Sequence, residues 1–115
     1  INMDFERLTQ VFLNLFINAV QAMDQGGKLS VSAAVHDSHI VVTVTDTGRG
    51  MSPDVLESIF TPYFTTKPAG TGLGLAIVLK ILEEHGCKIK VDSVPGQGTT
   101  FMLLFPQNSP VKDNQ

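Results

Sequence analysis

Cysteine is almost missing from this chain of 115 residues. The single Cys87 leaves no internal disulfide framework and no partner at zinc-ligand spacing, which fits a reducing, cytoplasmic compartment. Long apolar runs are missing as well. No stretch approaches the ~18 consecutive apolar residues of a membrane span, and INMDFERLTQ carries no signal-peptide pattern, so a soluble domain without membrane contact is expected. Clustered cations are a third absence: eight Lys and Arg are scattered among eleven Asp and Glu, for a formal net charge of -3. Nucleic acid and anionic membranes select clustered Lys and Arg, so neither is an expected partner. Repeats, low-complexity segments and interdomain linkers are absent too. What remains is a chain with 43% hydrophobic content, long enough for one core and too short for two.

Periodicity divides that chain into elements. Leu8, Val11, Phe12, Leu15, Ala19 and Met23 recur at helical spacing, which predicts a helix over Phe5 to Met23 with Asp4 as cap and Gln25-Gly26-Gly27 as stop. Leu29 to Val35 and Ile40 to Val44 alternate as strands around an Asp37-Ser38 hairpin turn. Ser52-Pro53 opens a short helix to about Ile59, followed by the irregular loop TPYFTTKPAGTG. A helix over Leu73 to His85 ends at Gly86, and Lys88 to Ser93 and Thr100 to Phe105 read as strands joined by PGQG. The domain is expected over residues 1–106, with 107–115 a frayed tail. Helices segregated to one side of a sheet make an α+β two-layer sandwich, and without repeated βαβ units a doubly wound nucleotide fold does not fit.

Three features carry chemistry. In VFLNLFINAV, Asn14 and Asn18 stand four residues apart and share one helix face. A buried amide left unbonded costs roughly 1–3 kcal/mol, so each needs a partner, either a loop backbone or a ligand. A carboxamide oxygen is a hard, neutral ligand that suits Mg²⁺, whose other ligands are commonly water and substrate phosphate. Strand two runs into VTVTDTGRGM, where Asp46 shares parity with Ile40, Val42 and Val44 and is predicted to point into the same apolar layer. One carboxylate with a bridging water could read an adenine edge while Gly48 and Gly50 let the backbone approach the ring; the alternative is an ordinary turn. GTGLGL, Gly70 to Leu75, lies where a loop enters a helix, a place that presents free N–H groups to phosphate. It lacks the ending of a P-loop, and no HRD or DFG of eukaryotic protein kinases occurs. Lys67 could reach a terminal phosphate or stand solvated, and PGQGTTF alone is a hairpin turn.

In that order Asn14/Asn18, DTGRGM, IFTPYFTTK, GTGLGLAI and PGQGTTF resemble the catalytic ATP-binding domain of sensor histidine kinases, over about Asp4 to Phe105. That family belongs to the GHKL, or Bergerat-fold, superfamily with gyrase, the heat-shock chaperone ATPases and MutL. The resemblance implies a mixed, mostly antiparallel sheet packed against helices, and ATP with Mg²⁺ held beneath a mobile lid of roughly 61–72. It implies that Asn18 is the metal ligand, that Asn14 and Lys67 serve catalysis and nucleotide binding, and that Asp46 reads adenine beside Gly48, Gly50, Met51 and Thr99. Phe60 and Phe64 then pack the lid, or the core. Gly70, Thr71, Gly72, Leu73 and Gly74 then form the phosphate loop.

Asn14 occupies the place where hydrolysing relatives carry a glutamate that activates water; an amide takes no proton at neutral pH, so transfer to another nucleophile is expected instead of hydrolysis. His36, His39 and His85 lie outside any acceptor motif and read as structural or solvent-exposed. The resemblance therefore implies a γ-phosphoryl donor that is a monomer in isolation and unable to autophosphorylate. Its acceptor histidine would sit on a dimerisation domain of the same parent protein, ahead of Ile1, and a response regulator would follow downstream. An anti-sigma-factor-type serine kinase and a nucleotide-sensing module without transfer are the alternatives. Gln21 stands where the family often has Lys or Arg, and Arg49 has no role assigned by the motif.

Overall fold

A computed structural model of the chain describes residues 4–62, 64 and 74–106. Helix α1 (Phe5–Ala22) starts where expected, because the Asp4 carboxylate accepts the Glu6 N–H at 3.2 Å and meets one of the unpaired first-turn donors. Its apolar spacing buries Val11, Leu15 and Ala19. Strands β1 (Leu29–His36) and β2 (His39–Asp46) form the hairpin, and Asp37 takes the positive φ of 57° that a two-residue hairpin loop favours. Helix α2 (Pro53–Leu56) is a single turn capped by Ser52. The expected helix to Ile59 breaks into turns, with Ser58 N–H on Val55 O and Thr61 N–H on Ser58 O, since so short a segment has little cooperative support. Helix α3 (Gly74–Glu84) closes as predicted at Gly86, where the Cys87 N–H donates to Leu82 O at 2.8 Å and the Gly86 N–H to Glu83 O at 3.2 Å. Strands β3 (Lys88–Val94) and β4 (Gly98–Pro106) complete the sheet.

The strand order is β1-β2-β4-β3. All three pairings among the described residues are antiparallel, so the parallel component of the expected mixed sheet does not occur among them. One sheet face carries the core. Val44, Phe101, Leu103 and Phe105 lie against Val11 and Leu15 of α1 and Val78, Ile81 and Leu82 of α3. Phe12 adds tilted ring contacts to Phe16 and Phe105 at centroid distances of 6.0 and 6.4 Å. Cys87 is buried in the same cluster, and burial pushes its thiol up, which keeps it protonated and unreactive. The β1 side is more open: Val31 and Val35 are exposed, as are Phe5, Leu13, Ile17 and Val20 along one flank of α1. Among the described residues no helix is long and apolar enough to cross a membrane.

Candidate functional site

Both β2 and β4 run further than their apolar alternation suggests. β2 continues past Val44 to Asp46, and β4 begins at Gly98, so Asp46 stands directly opposite Thr99, which in turn faces Ser93 of β3. The next inward-facing row of the same sheet is Val44, Phe101 and Val91, all apolar. A row of Asp46, Thr99 and Ser93 therefore closes one end of the core layer. Parity predicts an inward Asp46, and the carboxylate is only 3% exposed. Its Oδ1 accepts the Gly48 N–H at 2.8 Å, and no buried side-chain oxygen among the described residues is without a partner, so Oδ2 is not a sealed orphan. Thr99, 5% exposed, holds its hydroxyl 2.8 Å from that of Ser93. Ser93 also accepts the Met51 N–H at 2.8 Å and lies 3.0 Å from Gly98 O.

The DTGRGM loop is held from two sides. Toward α1, the Arg49 N–H donates to Ala22 O at 3.0 Å, and a Cβ added to Gly48 would stand 2.5 Å from that same carbonyl oxygen. Toward the β3–β4 turn, Arg49 O accepts the Gly96 N–H at 2.7 Å, and a Cβ on Gly50 would collide with Val94 O. Gly98 likewise admits the Asp46 carbonyl where any side chain would strike it. The glycines of the two boxes thus let backbone meet backbone at the foot of the polar row.

Asn14 and Asn18 are both half-buried on α1. The Asn14 amide donates through Nδ2 to Gly74 O at 3.4 Å, which joins α1 to the first residue of α3, one of the two partners that the sequence allows it. Met51 and Phe60 pack against the core as partly buried residues; Phe64 is half-buried, with its N–H on Thr61 O. Lys67, Gly70, Thr71, Gly72 and Leu73, with most of the expected lid and all of the expected tail, lie outside the described residues. His36 is exposed beside Asp37, and His85 Nδ1 sits 2.7 Å from Ile81 O, at a helix end. Neither joins the polar row. Gln21 contributes a backbone carbonyl, which accepts from Arg49 Nη1 at 3.0 Å. A shallow cavity of about 180 Å³ touches Asp46 and Thr99, but Thr45, Asp92 and Thr100 place most of it on the opposite sheet face by strand parity.

Two residues of this site have no role given by a motif. Ser93 is polar at an inward position where Ile89 and Val91 are apolar, and that break in alternation is a usable signal. Arg49 offers none, since its partners Gln21, Ala22 and Asp24 come from a remote helix end. Among the described residues no three His, Cys, Asp or Glu side chains converge.

A family model described as histidine kinase-, DNA gyrase B- and HSP90-like ATPase matches residues 3–109, and the chain belongs to this family. Sensor histidine kinase ZraS of Escherichia coli (strain K12) is 52% identical over 115 residues, all of this chain and 25% of that protein. Sporulation kinase C of Bacillus subtilis (strain 168) is 43% identical over 109 residues, 95% of this chain and 26% of that protein. The chain spans about a quarter of the length of these curated relatives. Among solved structures, the catalytic domain of histidine kinase ThkA in a nucleotide-free form aligns with a TM-score of 0.80 at 37% identity, over 91% of this chain and 69% of that one. Full-length ShkA in complex with AMPPNP aligns with a TM-score of 0.78 at 34% identity, over 90% of this chain and 22% of that one. Fold and family agree: this is a catalytic ATPase domain of the sensor histidine kinase type.

Proposed function

We propose that the chain binds ATP with Mg²⁺ between α1 and the lid of roughly 61–72 and donates the γ-phosphoryl group to a histidine on a helical dimerisation domain of its parent protein. The observation that carries the reading is the buried carboxylate of Asp46, one oxygen satisfied by Gly48 and the other open at the end of an apolar layer. A carboxylate at the mouth of an apolar layer favours a ligand that donates to it, and an adenine 6-amino group would be such a donor to Oδ2. Thr99 stands beside it, and the loop that carries Gly48, Gly50 and Met51 follows directly on the strand that ends at Asp46. The AMPPNP named with one structural relative supports a nucleotide ligand for this kind of chain.

The donor set also fits the metal. A neutral carboxamide oxygen from Asn18 would suit Mg²⁺, with phosphate and water completing the shell. Bound there, the metal supplies charge neutralisation at the phosphates. Asn14 would orient the nucleotide without activating water, because its amide is already a donor to Gly74 O and cannot accept a proton. Lys67, Gly70, Thr71, Gly72, Leu73 and Gly74 would hold the phosphates under a lid of roughly 61–72, with Phe60 and Phe64 at its base. A response regulator in the cytoplasm would receive the phosphoryl group later.

Incubation of the chain with radiolabelled ATP and a helical histidine-bearing segment tests the reading. Acid-labile label on the segment, with none on the chain alone, is the expected result. Acid-stable label on a protein substrate would support a serine kinase instead, and nucleotide binding without any label would support a sensing module.

A further inference from the structure

Helix α1 ends at Ala22 with no basic residue in its last turn, although the carbonyls there carry partial negative charge and lack helical partners. The missing cation arrives from the loop after β2. Arg49 donates through Nη1 to Gln21 O at 3.0 Å and lies 3.4 Å from Asp24 Oδ2, while its backbone N–H bonds Ala22 O at 3.0 Å. Its carbonyl takes the Gly96 N–H from the β3–β4 turn at 2.7 Å. One residue thereby joins the end of α1, the DTGRGM loop and the hairpin behind Thr99.

We infer that Arg49 is a positioning residue for nucleotide, clamping the loop that carries the Asp46 site to the helix that carries Asn18. The inference rests on the nucleotide reading given above. A ligand held by its base on the loop and by its metal-bound phosphates on α1 spans two elements, and its affinity depends on their spacing being fixed before it arrives. The main-chain bonds of residue 49 persist in any variant, so the guanidinium grip on Gln21 O is the part a substitution removes. The ion pair with Asp24 is the lesser part, because its side chains are 42% and 76% exposed and water screens such pairs.

Calorimetric titration of the chain with ADP and Mg²⁺ tests the clamp. Arg49→Ala should weaken ADP binding about three- to tenfold, because the ligand must then fix the loop against α1 as it binds. The melting temperature of the unliganded variant should fall by only a few degrees. Arg49→Lys, which keeps the charge but not the fork, should recover part of the affinity, and Asp24→Asn should stay within about twofold of wild type. ADP affinity within about twofold of wild type in Arg49→Ala would overturn the clamp, as would a loss that Lys does not rescue and that tracks a large drop in melting temperature. Absence of ADP binding by the wild-type chain would overturn the nucleotide reading itself, and the clamp with it.

Discussion

Gly98 and Gly26 look alike in sequence and in dihedral angle, each turning the chain with a positive φ, 117° and 85° respectively. Their surroundings differ. A side chain on Gly98 would run into the Asp46 carbonyl, whereas one on Gly26 would meet nothing within 4 Å. Gly50 and Gly48 side with Gly98, pressed against Val94 O and Ala22 O; Gly86 and Gly96 side with Gly26, in open space. One group is glycine because the chain must turn, the other because two backbones must touch. The touching group lies wholly around the Asp46 carboxylate, where strand, loop, hairpin and helix end are drawn together. That contrast separates glycines needed for close backbone packing from glycines needed only for a turn.

Three substitutions sharpen the contrast. Gly98→Ala combines a left-handed backbone with a collision and should cost about 2–4 kcal/mol. Thermal denaturation should show a fall on the order of 10 °C or more for a domain of this size; a melting temperature near that of wild type would erase the distinction. Gly48→Ala comes next. Its φ is unremarkable for any residue, so only the crowding at Ala22 acts, for about 1–3 kcal/mol. Because that crowding pries the loop from α1, ADP affinity should drop along with stability. Gly26→Asn should do least: Asn tolerates the left-handed region, so a change within about 0.5 kcal/mol and unaltered ADP affinity are expected. A pronounced loss of affinity there would place the turn group in the site after all.

Much of this was legible in the chain's alternation. Parity alone puts Asp46 among Val44, Val42 and Ile40, because a strand's side chains alternate strictly. The cap at Asp4, the Asp37-Ser38 turn and the stop at Gly86 follow from local chemistry, and each is observed. Where sequence stopped short, the cause is tertiary. Asp46 has weak reason to be extended on its own, yet Thr45 and Asp46 pair with Ser30 and Leu29 on one side and Thr100 and Thr99 on the other, and this double ladder carries β2 to its full length. α2 fails in the opposite sense, a helical segment too short to persist once its first turn is capped. Asn14 has the carbonyl of the first α3 residue, sixty positions away, as its partner, and Arg49 a helix end behind it; neither separation leaves a trace in local pattern.

The carboxylate of Asp46 is where the account is most exposed to test. Asp46→Asn keeps Oδ1 for the Gly48 N–H, so the turn should survive, and replaces Oδ2 with an amide donor that would face the adenine amino group donor to donor. ADP affinity measured by calorimetry should fall about a hundredfold with the melting temperature little changed. Full-strength ADP binding by this variant would contradict the assignment of adenine to Asp46.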